Sequence, residues 1–291
     1  MIQLITMTTK IRTFLCVFKN SLVNFDYYRE VLTTKFSFSL KYFYGLLVVT
    51  SFISFLPLIF GVLFFIPQWP ATESKIKTMA ESAYPANLVL TVKDGQLSTN
   101  VREPYYVDAP GQLDKHLVAI DTKGSADDYV KYNSYILLTK KSFVSPKSGS
   151  NSNLEIVPLA DLQDNITVNQ DTYIEMLGKV YPYFQYAVPL LWGLAVFLLT
   201  VGPFLLGGLV LPFKLLHLLI FSVVAHFILL MAKKKLSYVE TYKMALHAST
   251  LPIIFFTLLA IFGLNPTVPF GYSIVLAVFM LVIFLSWKKS S

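Results

Sequence analysis

The chain has 291 residues, 55% hydrophobic and 14% charged, with a mean hydropathy of +0.58; soluble domains carry about 45–50% apolar and about 25% charged residues, so this composition selects a bilayer protein. The net charge of +7 does not mark a nucleic-acid surface, because residues 67–183 hold 11 basic and 14 acidic side chains and the excess lies in the apolar remainder, where basic residues flank spans and meet headgroups. With a single cysteine, Cys16, neither an intramolecular disulfide nor a cysteine-based metal cluster can form.

Residues 10–30 place Ile11, Phe14, Leu15, Phe18, Leu22 and Phe25 at spacings of three and four, which predicts an amphipathic helix. Such a helix either lies in the headgroup plane or packs on the membrane bundle. Residues 43–66 contain no charged side chain and follow Lys35 and Lys41; they are expected to form the first transmembrane helix, loosened at Pro57. A cleaved signal peptide fits poorly: the apolar run is long, starts late and ends without the small residues of a cleavage site.

From 67 to 183 the composition turns polar for 117 residues, enough for one small domain. A short helix is expected at 72–83. Strands at 88–93 and 96–101 flank Asp94-Gly95, the pair favoured where both central residues of a two-residue hairpin need positive φ. Further strands are expected at 117–121, 134–138 and 155–158, a Ser/Gly/Asn loop at 147–153, and a helix at 171–181 leading into the membrane.

Residues 184–231 are almost uninterruptedly apolar, with Lys214 the one side chain certain to be charged. At about 20 residues per crossing this run suits two helices. Pro189, Pro203 and Pro212 interrupt it, and Gly207-Gly208 is the expected turn, dividing it into 184–206 and 209–231. Lys233, Lys234 and Lys235 end the second helix. Residues 236–248 read as short and amphipathic, with Glu240, Lys243 and His247 aligned. The apolar run 250–264 is too short to cross at about 1.5 Å per residue, so its helix should begin earlier, near Met244. A turn at 265–269 and a last helix at 270–287, ended by Trp287, Lys288 and Lys289, complete the chain.

Tyr84-Pro85, residues 89–98 with the Lys93-Asp94-Gly95 turn, Glu103-Pro104-Tyr105, Ile120-Asp121-Thr122 and Leu137-Leu138-Thr139-Lys140 resemble the pattern of the bacterial membrane family catalogued as domain of unknown function 1189. Some of its members carry the label maltodextrin utilisation protein. Residues 238–254, with Tyr242, Ala245 and Leu251-Pro252, are similar over a short stretch to the Yip family of five-span membrane proteins. The first resemblance implies a bacterial cell-membrane protein without known activity, and it brings no catalytic residues.

The expected fold is therefore an α-helical polytopic membrane protein with about five transmembrane helices and a small extracytoplasmic α+β domain between the first and second. Its parts are a cytoplasmic amphipathic segment (1–42), the first span (43–66), the α+β domain (67–183) and a four-helix transmembrane region (184–289). Basic residues favour a cytoplasmic start only weakly, with seven on one side and six on the other. An even number of crossings, both ends inside, is the alternative and needs part of 184–231 to be re-entrant.

Candidate chemistry is sparse. His217 and His226 stand out as ionisable groups inside an apolar run, but nine residues at about 100° each put them on opposite helix faces. Lys214 shares a face with His217 and is expected to snorkel. No Asp or Glu lies in any span. In the polar domain Asp121, Asp127 and Asp128 are candidates for a cation, and Tyr105, Tyr106, Tyr129, Tyr132 and Tyr135 for a sugar platform. Asn165-Ile166-Thr167 fits a glycosylation acceptor. None has motif spacing, so no catalytic, cofactor-binding or metal residue is assigned and no cofactor is expected. The expected function is non-enzymatic: the extracytoplasmic domain contacts a ligand or another membrane or envelope protein, with the lipid bilayer as constant partner and no nucleic acid. The alternative is an accessory or carrier subunit of a sugar transport system.

Overall fold

A computed structural model of the chain describes residues 2–108, 114–147, 154–161, 165–231, 235–264 and 269–289. Most of the loop expected at 147–153, Lys233 and Lys234, and the turn residues 265–268 lie outside them. In chain order the elements are α1 (Ile2–Val23), α2 (Tyr27–Thr33), α3 (Phe36–Phe65), α4 (Trp69–Ser82), β1 (Leu90–Lys93), β2 (Gln96–Thr99), β3 (Tyr105–Val107), β4 (His116–Ile120), β5 (Ser134–Leu138), β6 (Ser142–Pro146), β7 (Leu154–Pro158), β8 (Ile166–Val168), α5 (Gln170–Val180), α6 (Ala187–Thr200), α7 (Gly202–Met231), α8 (Tyr238–Ala248), α9 (Thr250–Ile261) and α10 (Gly271–Lys289). They form two compact units, Met1–Phe64 with Leu191–Ser291, and Phe65–Leu190.

Among the described residues four helical runs are long and apolar enough to cross a membrane: Phe36–Ser82, Gln170–Thr200, Gly202–Met231 and Tyr238–Ile261. The expected fifth, Gly271–Trp287, is a shorter apolar helix. Two small sheets lie in sequence between the first and second runs.

The helical unit differs from the sequence reading in three ways, each with a local cause. The amphipathic helix is two helices, broken where Asn24 Oδ1 accepts from the Asp26 and Tyr27 amides at 3.1 and 3.3 Å, an Asx turn that competes with helical hydrogen bonds. Phe14, Val17, Phe18 and Phe25 pack on the helical core, whereas Ile11 and Leu15 remain exposed. Next, the long apolar run breaks at Val201, not at Gly207-Gly208, which lie inside α7. A Cβ at Gly207 would stand 3.1 Å from Val48 Cγ2 and 3.2 Å from its amide nitrogen. This glycine therefore serves a close approach of α7 to α3, as small residues do between membrane helices. Finally, the fourth run starts at Tyr238, ahead of Met244, and α8 is buried from Thr241 through Ala248 on all its faces. The core around it contains Tyr28, Val31, Phe43, Leu46, Met244, Leu246, Leu276 and Ile283.

The second unit is α+β. Asp94 (φ 51°) and Gly95 (φ 70°) turn the β1–β2 hairpin with Lys93 opposite Gln96, the expected two-residue turn with both central residues left-handed. β8 pairs with the other side of β1, giving the order β2-β1-β8; the second sheet has the order β3-β4-β5-β6-β7. Strands β3, β6 and β8 are additions to the sequence reading. All pairings are antiparallel except β4–β5, whose ends are joined by residues 121–133, enough chain for a crossover. On β4 the alternation of period two is direct: Ile120 enters a core with Leu88, Leu97, Val107 and Leu159, and its neighbour Ala119 enters another with Tyr129, Leu137 and Val144. α4 and α5 pair through Tyr173 Oη, which donates to the Ala80 carbonyl at 3.0 Å, and through Lys77, whose ammonium lies 5.1 Å from the Tyr181 ring centre.

Candidate functional site

The densest set of buried polar groups surrounds α8. Ser237 opens this helix with a capping box: Glu240 Oε2 accepts from the Ser237 amide at 2.7 Å, and Ser237 Oγ accepts from the Glu240 amide at 3.3 Å. One turn on, Lys243 is only 5% exposed. Its ammonium donates to the carbonyls of Leu32 at 2.5 Å and Thr34 at 2.8 Å, which closes the C-terminal end of α2, where carbonyls lack helical donors and the dipole favours a cation. A further turn on is His247, fully buried. Its Nδ1 lies 3.3 Å from Tyr27 Oη and 3.4 Å from Ser21 Oγ, and its Nε2 lies 3.1 Å from Ser39 Oγ. The ring stacks on Tyr42 with centroids 4.7 Å apart and planes 6° apart; Tyr42 Oη meets Thr250 Oγ1 at 2.7 Å.

His247 thus ties α1, α2 and α3 to α8 with hydroxyl partners alone. A neutral imidazole has one donor and one acceptor, and hydroxyls can rotate to serve either, so the group is satisfied without charge. Neither Ser21 nor His247 has any exposed surface, which keeps a substrate from this Ser–His contact. The cluster is a polar fastening.

His217 and His226 occupy separate surroundings, as their half-turn separation requires. His217 Nε2 is 2.9 Å from Ser273 Oγ and its ring meets Tyr272 edge-on at 5.3 Å. His226 faces the Tyr238 ring edge-on at 6.1 Å, and its buried Nδ1 has no hydrogen-bond partner among the described residues. Lys214 does not simply reach for headgroups: its ammonium sits 3.9 Å from the centre of the Tyr272 ring, a cation–π contact.

In the α+β unit two of the three candidate acids, Asp121 and Asp128, are consumed by loop structure, and Asp127 is exposed. Asp121 accepts from the Lys123 and Gly124 amides at 2.9 and 3.2 Å and from Tyr132 Oη at 2.7 Å. Asp128 accepts from the Ser125 amide and hydroxyl at 3.3 and 3.1 Å and from the Lys131 ammonium at 2.5 Å. The Lys131 hydrogen bond, then the Ser125 amide, hold its carboxyl below the usual range. Among the described residues no group of three His, Cys, Asp or Glu side chains could hold a metal ion. The tyrosines do not form one platform either. Tyr105 packs on the core of Leu88 and Ile120, while Tyr129 and Tyr132 belong to that of Ala119. Tyr106 lies on the His116 ring at 4.5 Å, and Tyr135 is exposed. Asn165, in the glycosylation-like triplet, accepts from the Asp94 amide at 3.2 Å and so braces the hairpin turn.

Burial, and after it the bond to Asp121, pushes the Tyr132 phenol up to about 12. A phenol with a raised folded pKa contributes stability fully present below its ordinary value near 10 and lost as the pH climbs through the folded value. The difference in thermal stability between wild type and Tyr132→Phe, followed by circular dichroism, is therefore expected to be largest below pH 10 and to close toward pH 12.

The β7 edge of the α+β unit is open among the described residues. β7 is the last strand of its sheet, and Ile156 and Val157 on it are 50% and 44% exposed. An apolar strand edge of this kind is a template for pairing with another chain.

The model of a family described as "Protein of unknown function (DUF1189)" matches residues 16–287. No curated protein and no solved structure matches the chain. The match runs from α1 to α10 and so takes in the polar cluster, both sheets and all four long apolar runs: the chain belongs to the DUF1189 family.

Proposed function

We propose that this multi-pass membrane protein is a non-enzymatic contact protein of the cell membrane, in which the α+β unit lies outside the cytoplasm and binds another protein by pairing along β7. The observation that carries this reading is the β7 edge, unpaired among the described residues, with Ile156 and Val157 exposed, since strand addition combines backbone hydrogen bonds with pockets for alternate side chains. Support for the non-enzymatic half comes from Lys243 and His247, two buried groups that spend their bonds on structure, the first on the α2 carbonyls and the second on three hydroxyls.

Both chain ends lie inside in this reading. Trp287, near the end of α10, donates from Nε1 to the Phe25 carbonyl at 3.0 Å, and Arg29 stacks over its ring at 5.7 Å. That contact sets the end of α10 beside the residues that precede the first long run, which favours an even number of crossings over five.

The Ile156→Asp/Val157→Asp variant is expected to reproduce the phenotype of deleting residues 67–183 while accumulating normally in the membrane. An unaltered phenotype in that variant contradicts the β7 reading.

A transport accessory is the second reading. It is favoured by the break between α6 and α7 at Val201 and by Pro212 within α7, because discontinuous spans can line substrate sites. The maltodextrin label carried by some family members points the same way.

A further inference from the structure

We propose that the cleft between α1 and the start of α3 binds one anionic phospholipid, with an acyl chain along its floor and the phosphate held by Lys10 and Lys41. The cavity measures about 690 Å³, inside the roughly 300–1,000 Å³ range of small-molecule sites. Its apolar lining comes from Phe14, Val17, Phe38 and Tyr42, and Lys10 and Lys41 reach the same cavity from different helices. An adjoining hollow of about 380 Å³ shares Phe38 and Lys41 with it and adds Lys35.

The packing that gathers these residues is specific. The Phe14 and Tyr42 rings lie 5.6 Å apart, and Gly45 leaves room for Phe14, whose ring would stand 3.3 Å from a Cβ there. Lysines far apart in sequence thereby converge on one apolar groove. No ion pair engages Lys10, Lys35 or Lys41 among the described residues. Asp26 and Glu30, the only acids in residues 1–42, line neither hollow.

Charge and shape together select the occupant. Free phosphate would satisfy the lysines but leave the apolar floor in water, and an uncharged chain would fill the floor but leave the lysines without a counter-ion. An amphiphile with an anionic head uses both, as basic pockets between membrane helices do for anionic headgroups. The site stands on the α1–α3 contact alone and is independent of the β7 reading.

The test uses the full-length protein in an uncharged maltoside detergent, with native mass spectrometry counting retained lipid and thermal melting following stabilisation. Dioleoyl phosphatidylglycerol, dioleoyl phosphatidylcholine and inorganic phosphate are the three probes. Phosphatidylglycerol is expected to be retained and to raise the melting temperature, with phosphatidylcholine and phosphate doing neither. Lys10→Gln/Lys41→Gln should weaken phosphatidylglycerol binding about thirty-fold, the equivalent of about 1 kcal/mol for each lysine. Thr13→Trp, which fills the groove and keeps both lysines, should also weaken it. Lys140→Gln/Lys141→Gln removes the same charge from the α+β unit and should leave binding unchanged. Equal retention of phosphatidylcholine, stabilisation by phosphate alone, or undiminished phosphatidylglycerol binding in either groove variant would overturn the proposal.

Discussion

Replacing His247 with alanine is expected to lower the melting temperature of the detergent-solubilised protein by on the order of 10 °C. The substitution leaves a cavity against Tyr42 and strips partners from Ser21, Tyr27 and Ser39, all contacts of a fully buried ring. A large-to-small change in a core costs about 2–5 kcal/mol, and each buried polar group left without a partner adds about 1–3 kcal/mol unless it finds another. Relaxation of the rotatable hydroxyls recovers part of this, so a net loss of about 3–5 kcal/mol is a fair expectation. At about 2–4 °C for each kcal/mol in a protein of this size the shift follows. His226→Ala is the matched control: its Nδ1 has no partner among the described residues, so the change removes no hydrogen bond there, and a shift of a few degrees at most is expected. Equal shifts in the two variants would mean that the polar fastening does not hold α8 to α1–α3.

Gly95→Val should open the β1–β2 hairpin. The residue has φ 70°, which a β-branched side chain tolerates poorly. A Cβ there would also stand 2.8 Å from the Ala160 Cα, a backbone atom that cannot swing aside. Backbone strain alone costs about 1–3 kcal/mol, and displacement of Ala160 adds to it, since the Leu159 amide bonds to the Lys141 carbonyl at 2.8 Å. A loss on the order of 3 kcal/mol raises the hydrogen-exchange rates of the β1 and β2 amides in the full-length protein about a hundred-fold. Gly95→Asn, which tolerates left-handed φ better than valine does, meets only the steric part and should fall between the two. Unchanged exchange in Gly95→Val would place the turn elsewhere.

The hairpin was legible because its signal is local: Asp94-Gly95 needs no tertiary context to favour positive φ at both positions. The polar stretch with strands at 117–121, 134–138 and 155–158 was legible by alternation. β3 and β8 were not, because strands of three residues carry too few alternations, and β6 holds two serines and a proline, residue types that read as loop. Gly207-Gly208 misled, since glycine marks both turns and close helix contacts and only the position of Val48 decides between them.

The polar fastening was legible in outline only. The run 250–264 was too short to cross alone, so its helix had to start earlier, near Met244, which takes in His247 but stops short of Lys243; that length argument, with the alignment of Glu240, Lys243 and His247, was the available signal. What it lacked was the partners. Ser21, Tyr27 and Ser39 lie more than 200 residues from His247 in sequence, and in the sequence His217 and His226 outshine His247 because an apolar context makes a histidine conspicuous.

The proposed even-span arrangement, with the α+β unit outside and both ends inside, is tested most directly by cysteine accessibility. Cys16 is the only cysteine and is exposed. Intact cells would be treated with a membrane-impermeant maleimide, using the native chain and two single-cysteine variants on a Cys16→Ser background, Lys140→Cys and Ser291→Cys. Lys140→Cys is expected to react in intact cells, and Cys16 and Ser291→Cys only after permeabilisation. Protection of Lys140→Cys, or labelling of Ser291→Cys from outside, would contradict the account, the second result restoring five crossings.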